Sequence, residues 1–206
     1  MIEPAAPVAV VLAAGDSSRL GSPKSLLDVG GCPALERVIR NCVQAGVARG
    51  VVVVGGAHEA ELRDKVNVAP FVWITNPDPA AGRLGSLRVG LQQTPVDSNV
   101  LLWPVDRPLA EASTVVALIA ASAEAGQAFV AAPTFDGGRG HPILLGKELR
   151  ATILASPQDA NLREILQDPG IRSLSVPVRD PGIHANLDTP EAARERIAEW
   201  KARRPR

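Results

Sequence analysis

The chain has 206 residues, 46% of them hydrophobic, and its 22 Lys and Arg balance 22 Asp and Glu. That balance argues against global disorder and against the basic face that nucleic-acid binding demands. Only the tail Lys201-Ala-Arg203-Arg204-Pro-Arg206 is basic, and it reads as a solvated end.

Val8 to Ala14 is the most apolar stretch. It is far shorter than the ~20 residues a bilayer requires. The preceding Met1-Ile-Glu-Pro carries an acid where a signal peptide would be basic. The expectation is a cytoplasmic protein with no membrane partner. Cys32 and Cys42, if on one helix, stand about 15 Å apart by rise alone. A disulfide closes only within about 7 Å, so both should be free thiols. No His or Cys cluster has zinc spacing.

Val8 to Ala13 reads as a strand covered on both faces. Leu35, Val38, Ile39, Cys42 and Val43 recur at helical spacing, so Pro33 to Ala45 is a helix with Gly46 at its end. Gly50 to Val54 is a second strand, and His58 to Val66 a short charged helix. Phe71 to Thr75 is a third strand, Leu84 to Gln93 a helix, and Val100 to Pro104 a fourth strand. Ser113 to Ala125 is a helix with Ser113 as its N-cap. Ala128 to Ala132 is a fifth strand.

This alternation predicts a Rossmann-like, doubly wound α/β fold with a mostly parallel sheet. Gly137 to Gly140 reads as a loop before the apolar Pro142 to Leu145. A helix over Ala160 to Gln167, a strand over Ile171 to Val176 and a helix over Pro190 to Trp200 complete the chain. With no repeat or linker, residues 1–206 read as one domain.

The informative segment is Leu12-Ala13-Ala14-Gly15-Asp-Ser17-Ser18-Arg19-Leu-Gly21-Ser-Pro-Lys24. It leaves a buried strand at its carboxyl end, where open α/β sheets bind ligands. Gly15 and Gly21 allow tight turns, Ser17 and Ser18 add hydroxyls, and Arg19 and Lys24 add positive charge. Such a loop suits a triphosphate. The spacing fits neither a Walker A loop, which needs Gly beside Lys, nor a Gly-x-Gly-x-x-Gly fingerprint. Asp106 follows the apolar Val100 to Val105 and should reach the same end of the sheet. A hard oxygen there suits Mg²⁺ bridging phosphates, although a loop Asp can also be satisfied by backbone donors.

Residues 12–24 resemble the molybdenum-cofactor nucleotidyltransferase family, whose pattern is Leu-Ala-Ala/Gly-Gly-x-Ser-x-Arg-Met/Leu-Gly-x-x-Lys. The resemblance continues through Gly82-Arg-Leu-Gly-Ser86-Leu87, Pro104-Val-Asp106-Arg107-Pro108, Gly140-His141-Pro142 and Asn186-Leu-Asp188-Thr-Pro-Glu191, in the family's order. It implies a nucleotide-diphospho-sugar transferase-like fold and nucleotidyl transfer from an NTP onto a phosphorylated acceptor. It implies Asp188 as a second metal contact, although Asp188-Thr189-Pro190 is also a helix-start signal. It places Gly82 and Ser86 in the nucleotide pocket and His141 near the acceptor. Arg107 departs from the family's usual uncharged residue and should face acceptor or solvent.

The resemblance further implies molybdopterin as acceptor and a transient molybdoenzyme or chaperone partner. The guanylyl branch usually carries Gly where this chain has Ala14, which favours CTP. GTP, or a sugar or polyol phosphate as acceptor, are the alternatives within the class. A non-catalytic nucleotide- or cofactor-binding module is the alternative outside it.

Overall fold

The computed structural model describes residues 6–15, 23–123, 125–126 and 128–203. Arg19, Ser17, Ser18 and Gly21 lie outside the described residues, as does the end of the basic tail.

The chain runs β1 (Val8–Leu12), α1 (Ala34–Gln44), β2 (Gly50–Val54), α2 (Glu59–Lys65), β3 (Val72–Thr75), α3 (Gly82–Gln92), β4 (Val100–Pro104) and α4 (Ala112–Ser122). It continues through β5 (Phe129–Phe135), β6 (Gly138–Arg139), β7 (Ile143–Leu145), α5 (Leu149–Ala155), α6 (Leu162–Ile165), β8 (Arg172–Pro177) and α7 (Pro190–Ala202). The sheet order is β3-β2-β1-β4-β7-β5-β6, with β8 beside β5. β1 to β4 pair in parallel, as do β5 and β8. This is the mostly parallel α/β sheet that the alternation predicts.

Period-two alternation divides the core between the two faces. On β1, Ala9 and Val11 join α1 and α4 on one face, through Leu35, Val38, Ile39, Val115 and Leu118. Val10 and Leu12 join α3 and α5 on the other, through Leu84, Leu87, Leu91, Leu149 and Ile153. A third cluster seats α7, with Trp200 and Ala193 against Val29, Leu109, Ala185 and Leu187.

β7 runs antiparallel between β4 and β5. Several local expectations are corrected. Part of the expected Gly137–Gly140 loop is β6, which turns back on β5. Ser113 is not a cap, because α4 begins one residue earlier and makes no side-chain cap bond. The Asp188/Thr189 start signal resolves to Thr189, whose hydroxyl accepts from Ala192 N. Helix α5 has no counterpart in the sequence reading, and α6 is shorter than its pattern suggests. Both cysteines are free and buried, with Cys32 just before α1 rather than on it.

Helix α3 matters most, because its first turn enters the functional cleft. It is held by reciprocal arginines. Arg88 of α3 donates to the carbonyls of Ile153 (3.1 Å) and Pro157 (2.8 Å) at the end of α5. Arg150 of α5 donates to the carbonyls of Leu91 and Thr94 (2.9 Å) at the end of α3. Each cation adds donors to carbonyls at or just past the end of the other's helix. Gly90 brings α3 close to the sheet, since a Cβ there would lie 2.5 Å from Val10 Cγ1 and 3.1 Å from Val53 Cγ2.

Gly90→Ala tests this packing. Helix propensity alone favours Ala by about 1 kcal/mol. Overpacking typically costs about 1–3 kcal/mol and should win. The urea midpoint is expected to fall, and an unchanged or higher midpoint would contradict the close approach.

Candidate active site

The cleft is built where β1 and β4 end. They pair in parallel with Leu12 opposite Pro104, so Ala13 and Val105 leave the sheet side by side. Val105 N donates to Leu12 O (3.0 Å) and Ala13 N to Val53 O (2.8 Å), which fixes both exits. The first turn of α3 closes the third side. The resulting cavity of about 260 Å³ is lined by Leu12, Ala13, Ala14, Gly15, Lys24, Ser25, Pro79, Gly82, Arg83, Ser86 and Pro104 to Asp106. Ala14 is buried at 6% exposure and forms part of the wall. Ser86 is also buried, and its hydroxyl accepts from Asn76 Nδ2 (3.0 Å).

Two ion pairs organise the charge. Lys24 Nζ donates to Asp188 Oδ1 across 164 positions of sequence. Arg83 Nη2 donates to Asp106 Oδ2 at 2.9 Å. Leu187 N donates to Asp106 O (2.9 Å), which ties the Asp188 segment to the end of β4. Asn186 Nδ2 holds the second Asp188 oxygen at 2.5 Å. Partial burial works to raise the Asp188 carboxyl. The bond and charge of Lys24, with Asn186 and Arg83, outweigh it and hold the group below its usual value.

The donor set fits a divalent cation completed by substrate oxygens. Asp106 Oδ1 and Asn186 Oδ1 are buried without a hydrogen-bond partner among the described residues. Buried oxygens of this kind normally find a partner, so each of the two is a hard donor with room for a further ligand. No group of three or more His, Cys, Asp or Glu could hold a metal by itself among the described residues. One or two carboxylates plus phosphates is the usual provision for Mg²⁺.

The structure thus brings together Leu12, Ala13, Ala14, Gly15, Lys24, Gly82, Ser86 and Asp106, and joins Asp188 through Lys24. His141 and Arg107 do not line this cavity. Arg107 turns toward the carbonyls of Ile183 and His184, both at 3.4 Å. His141 N bonds the same Ile183 carbonyl at 3.1 Å. The two therefore brace the segment that leads into Asn186 and Asp188.

Arg83, Ser25 and Asn186 join the site without having been singled out in the sequence. Arg83 and Asn186 both stand inside the motifs quoted above. An arginine beside Gly82, at the start of a helix facing the strand ends, is the available signal. Ser25 offers none.

A mostly parallel sheet, with two carboxylates paired with cations where β1 and β4 end, fits a nucleotidyltransferase type of α/β enzyme. The chain belongs to the MobA-like NTP transferase domain family, which it matches over residues 9–175. It is 34% identical over 137 residues to a molybdenum cofactor guanylyltransferase of Rhizobium meliloti, across 66% of this chain. The chain spans less than two thirds of that relative, 61% of its length. It is 28% identical over 189 residues to nicotine blue oxidoreductase of Paenarthrobacter nicotinovorans, covering 88% of this chain and 92% of that one. The solved manganese complex of Rv0371C from Mycobacterium tuberculosis shares the fold with a TM-score of 0.75 at 21% identity, covering 93% and 97%. Among the described residues no helix is long and apolar enough to cross a membrane.

Burial, followed by the charges of Arg107 and Arg83, lowers the His141 pKa from 6.5 to about 4. The unfolded chain therefore binds a proton that the folded chain excludes between those values. Stability from this group is complete above pH 6.5 and is lost as pH falls toward 4. His141→Gln should flatten the decline of the urea midpoint across that window. An equally steep decline in the variant would contradict the assignment.

Proposed function

We propose that this protein transfers a nucleotidyl group from an NTP to a phosphorylated small-molecule acceptor and releases pyrophosphate. The observation that carries the reading is the cleft at Gly15 lined by Lys24, Arg83 and Asp106, with Asp188 joined to it through Lys24. An acceptor phosphate oxygen attacks the α-phosphorus, and the bond from that phosphorus to the pyrophosphate oxygen breaks in line. Positioning and charge neutralisation suffice, because an acceptor phosphate is already ionised near pH 7 and needs no base.

Lys24 stabilises charge on the α-phosphate. Residues 12–15, with Arg19, Ser17, Ser18 and Gly21 of the sequence that follows, hold the triphosphate. Asp106 and Asp188 would hold Mg²⁺, which would supply charge neutralisation of phosphate oxygens. The manganese in a protein of the same fold is consistent with a divalent ion here. His141 and Arg107 are assigned to the acceptor side, next to the Asp188 segment.

CTP is the favoured nucleotide. Ala14 adds a Cβ to the cavity wall, and a smaller pocket suits a pyrimidine. The guanylyltransferase relative supports GTP as the second reading. Its name also supports molybdenum cofactor as acceptor; a transient molybdoenzyme or chaperone partner rests on the family resemblance alone. The oxidoreductase relative supplies a rival from another class, which pyrophosphate release separates.

Pyrophosphate release with Mg²⁺ should occur with CTP only when molybdenum cofactor is present. Asp106→Ala should lower kcat at least about 100-fold while circular dichroism stays unchanged. Wild-type turnover in that variant would remove Asp106 from the chemistry. One methyl in a pocket is worth about 1–3 kcal/mol, so Ala14→Gly should shift the CTP-to-GTP ratio of kcat/KM about tenfold or more toward GTP. An unshifted ratio would show that Ala14 does not select the base.

A further inference from the structure

We propose that Arg83 is an exchangeable counter-ion: it holds Asp106 while the cleft lacks substrate and passes to the triphosphate when a metal-bound nucleotide enters. This rests on the reading of Asp106 as a metal contact.

The two partners are unequal. The Asp106 side chain is 9% exposed, whereas that of Arg83 is 63% exposed. A carboxylate so deeply placed needs a positive partner, because burying an uncompensated charge is costly. Arg83 supplies that partner from solvent, on a long and rotatable side chain. It satisfies Oδ2 only, and Oδ1 stays buried without a partner among the described residues. The carboxylate is thus neutralised but incompletely coordinated.

A divalent cation at Asp106 and a guanidinium 2.9 Å from the same carboxylate repel one another. Arg83 therefore opposes metal binding in the empty cleft. Its position also offers it a second partner. It stands in the first turn of α3, between Gly82 and Ser86, and lines the same cavity as Gly15 and Lys24. A triphosphate there draws the guanidinium off Asp106 and vacates the carboxylate as the metal arrives. Metal and nucleotide then bind with positive coupling, and linkage makes the effect reciprocal. A planar fork of donors suits both partners, a carboxylate and then a phosphate.

The test measures binding rather than turnover. Free Mn²⁺ is followed by electron paramagnetic resonance in titrations of the nucleotide-free protein. Sodium triphosphate is titrated separately by calorimetry in EDTA. Arg83→Ala should bind Mn²⁺ about three- to tenfold tighter than wild type and triphosphate about fivefold weaker, as expected for a partly exposed ion pair. Opposite movements are the signature of exchange. A variant that weakens both ligands would show Arg83 to be a structural support of α3 and would overturn the proposal, as would unchanged Mn²⁺ affinity. Asp106→Asn separates this from failure of the underlying reading. If the Asp106→Asn protein loses Mn²⁺ while Arg83→Ala gains nothing, only the exchange falls. If Asp106→Asn binds Mn²⁺ as wild type does, the metal assignment and the exchange fall together.

Discussion

The site depends on the register of β1 against β4. Leu12 faces Pro104 in a parallel pair, so the two chains leave the sheet at one level. A two-residue slip would shift Gly15 by about 7 Å along the sheet relative to the carboxylate of Asp106. The register is fixed from both faces. Ala9 and Val11 are locked under α1 and α4, and Val10 and Leu12 under α3 and α5. A one-residue slip would exchange these two sets, which differ in size and in the helices they meet. Function at the strand ends is therefore inherited from packing in the middle of the sheet.

The second requirement is to bring Asp188 to the same place from late in the chain. Three contacts do so. Gly182 lies against the Leu109 backbone so closely that a Cβ would meet its carbonyl oxygen at 2.2 Å. Leu187 N bonds Asp106 O, and Lys24 reaches Asp188 from the far side of the cleft. The outcome is a small region where two cations and two carboxylates are neutralised pairwise. A triphosphate that arrives with a divalent metal brings less net charge into such a region than the bare polyanion does.

The fold is legible in the sequence where burial is symmetric. β1, β2 and β4 are near-continuous apolar runs because both faces are covered, and their limits follow directly. Direction is not legible. Ile143 to Leu145 is as apolar as a parallel strand, and only its pairing with β5 and β4 sets it antiparallel. Helix α5 is a single short stretch whose stability comes from Leu149 and Ile153 under the sheet and from the Arg150 contacts, none of them local. Within the site, Lys24 and Asp106 are legible because strand context locates them. Arg83 is less so, because its partner stands 23 positions away and the fold must first align the two. Arg107 donates to carbonyls of a segment more than 70 positions later, a contact that no local pattern shows. Local sequence places the start of a side chain, and long-range packing decides where its charge ends.

The most direct test is anomalous diffraction from crystals grown with Mn²⁺ and a non-hydrolysable CTP analogue. The expected result is a manganese peak in contact with Asp106 and Asp188, with the triphosphate along residues 12–15 and Lys24 at the α-phosphate. Nucleotide bound in the cleft with no manganese on either carboxylate would contradict the assignment of the two acids as the metal site.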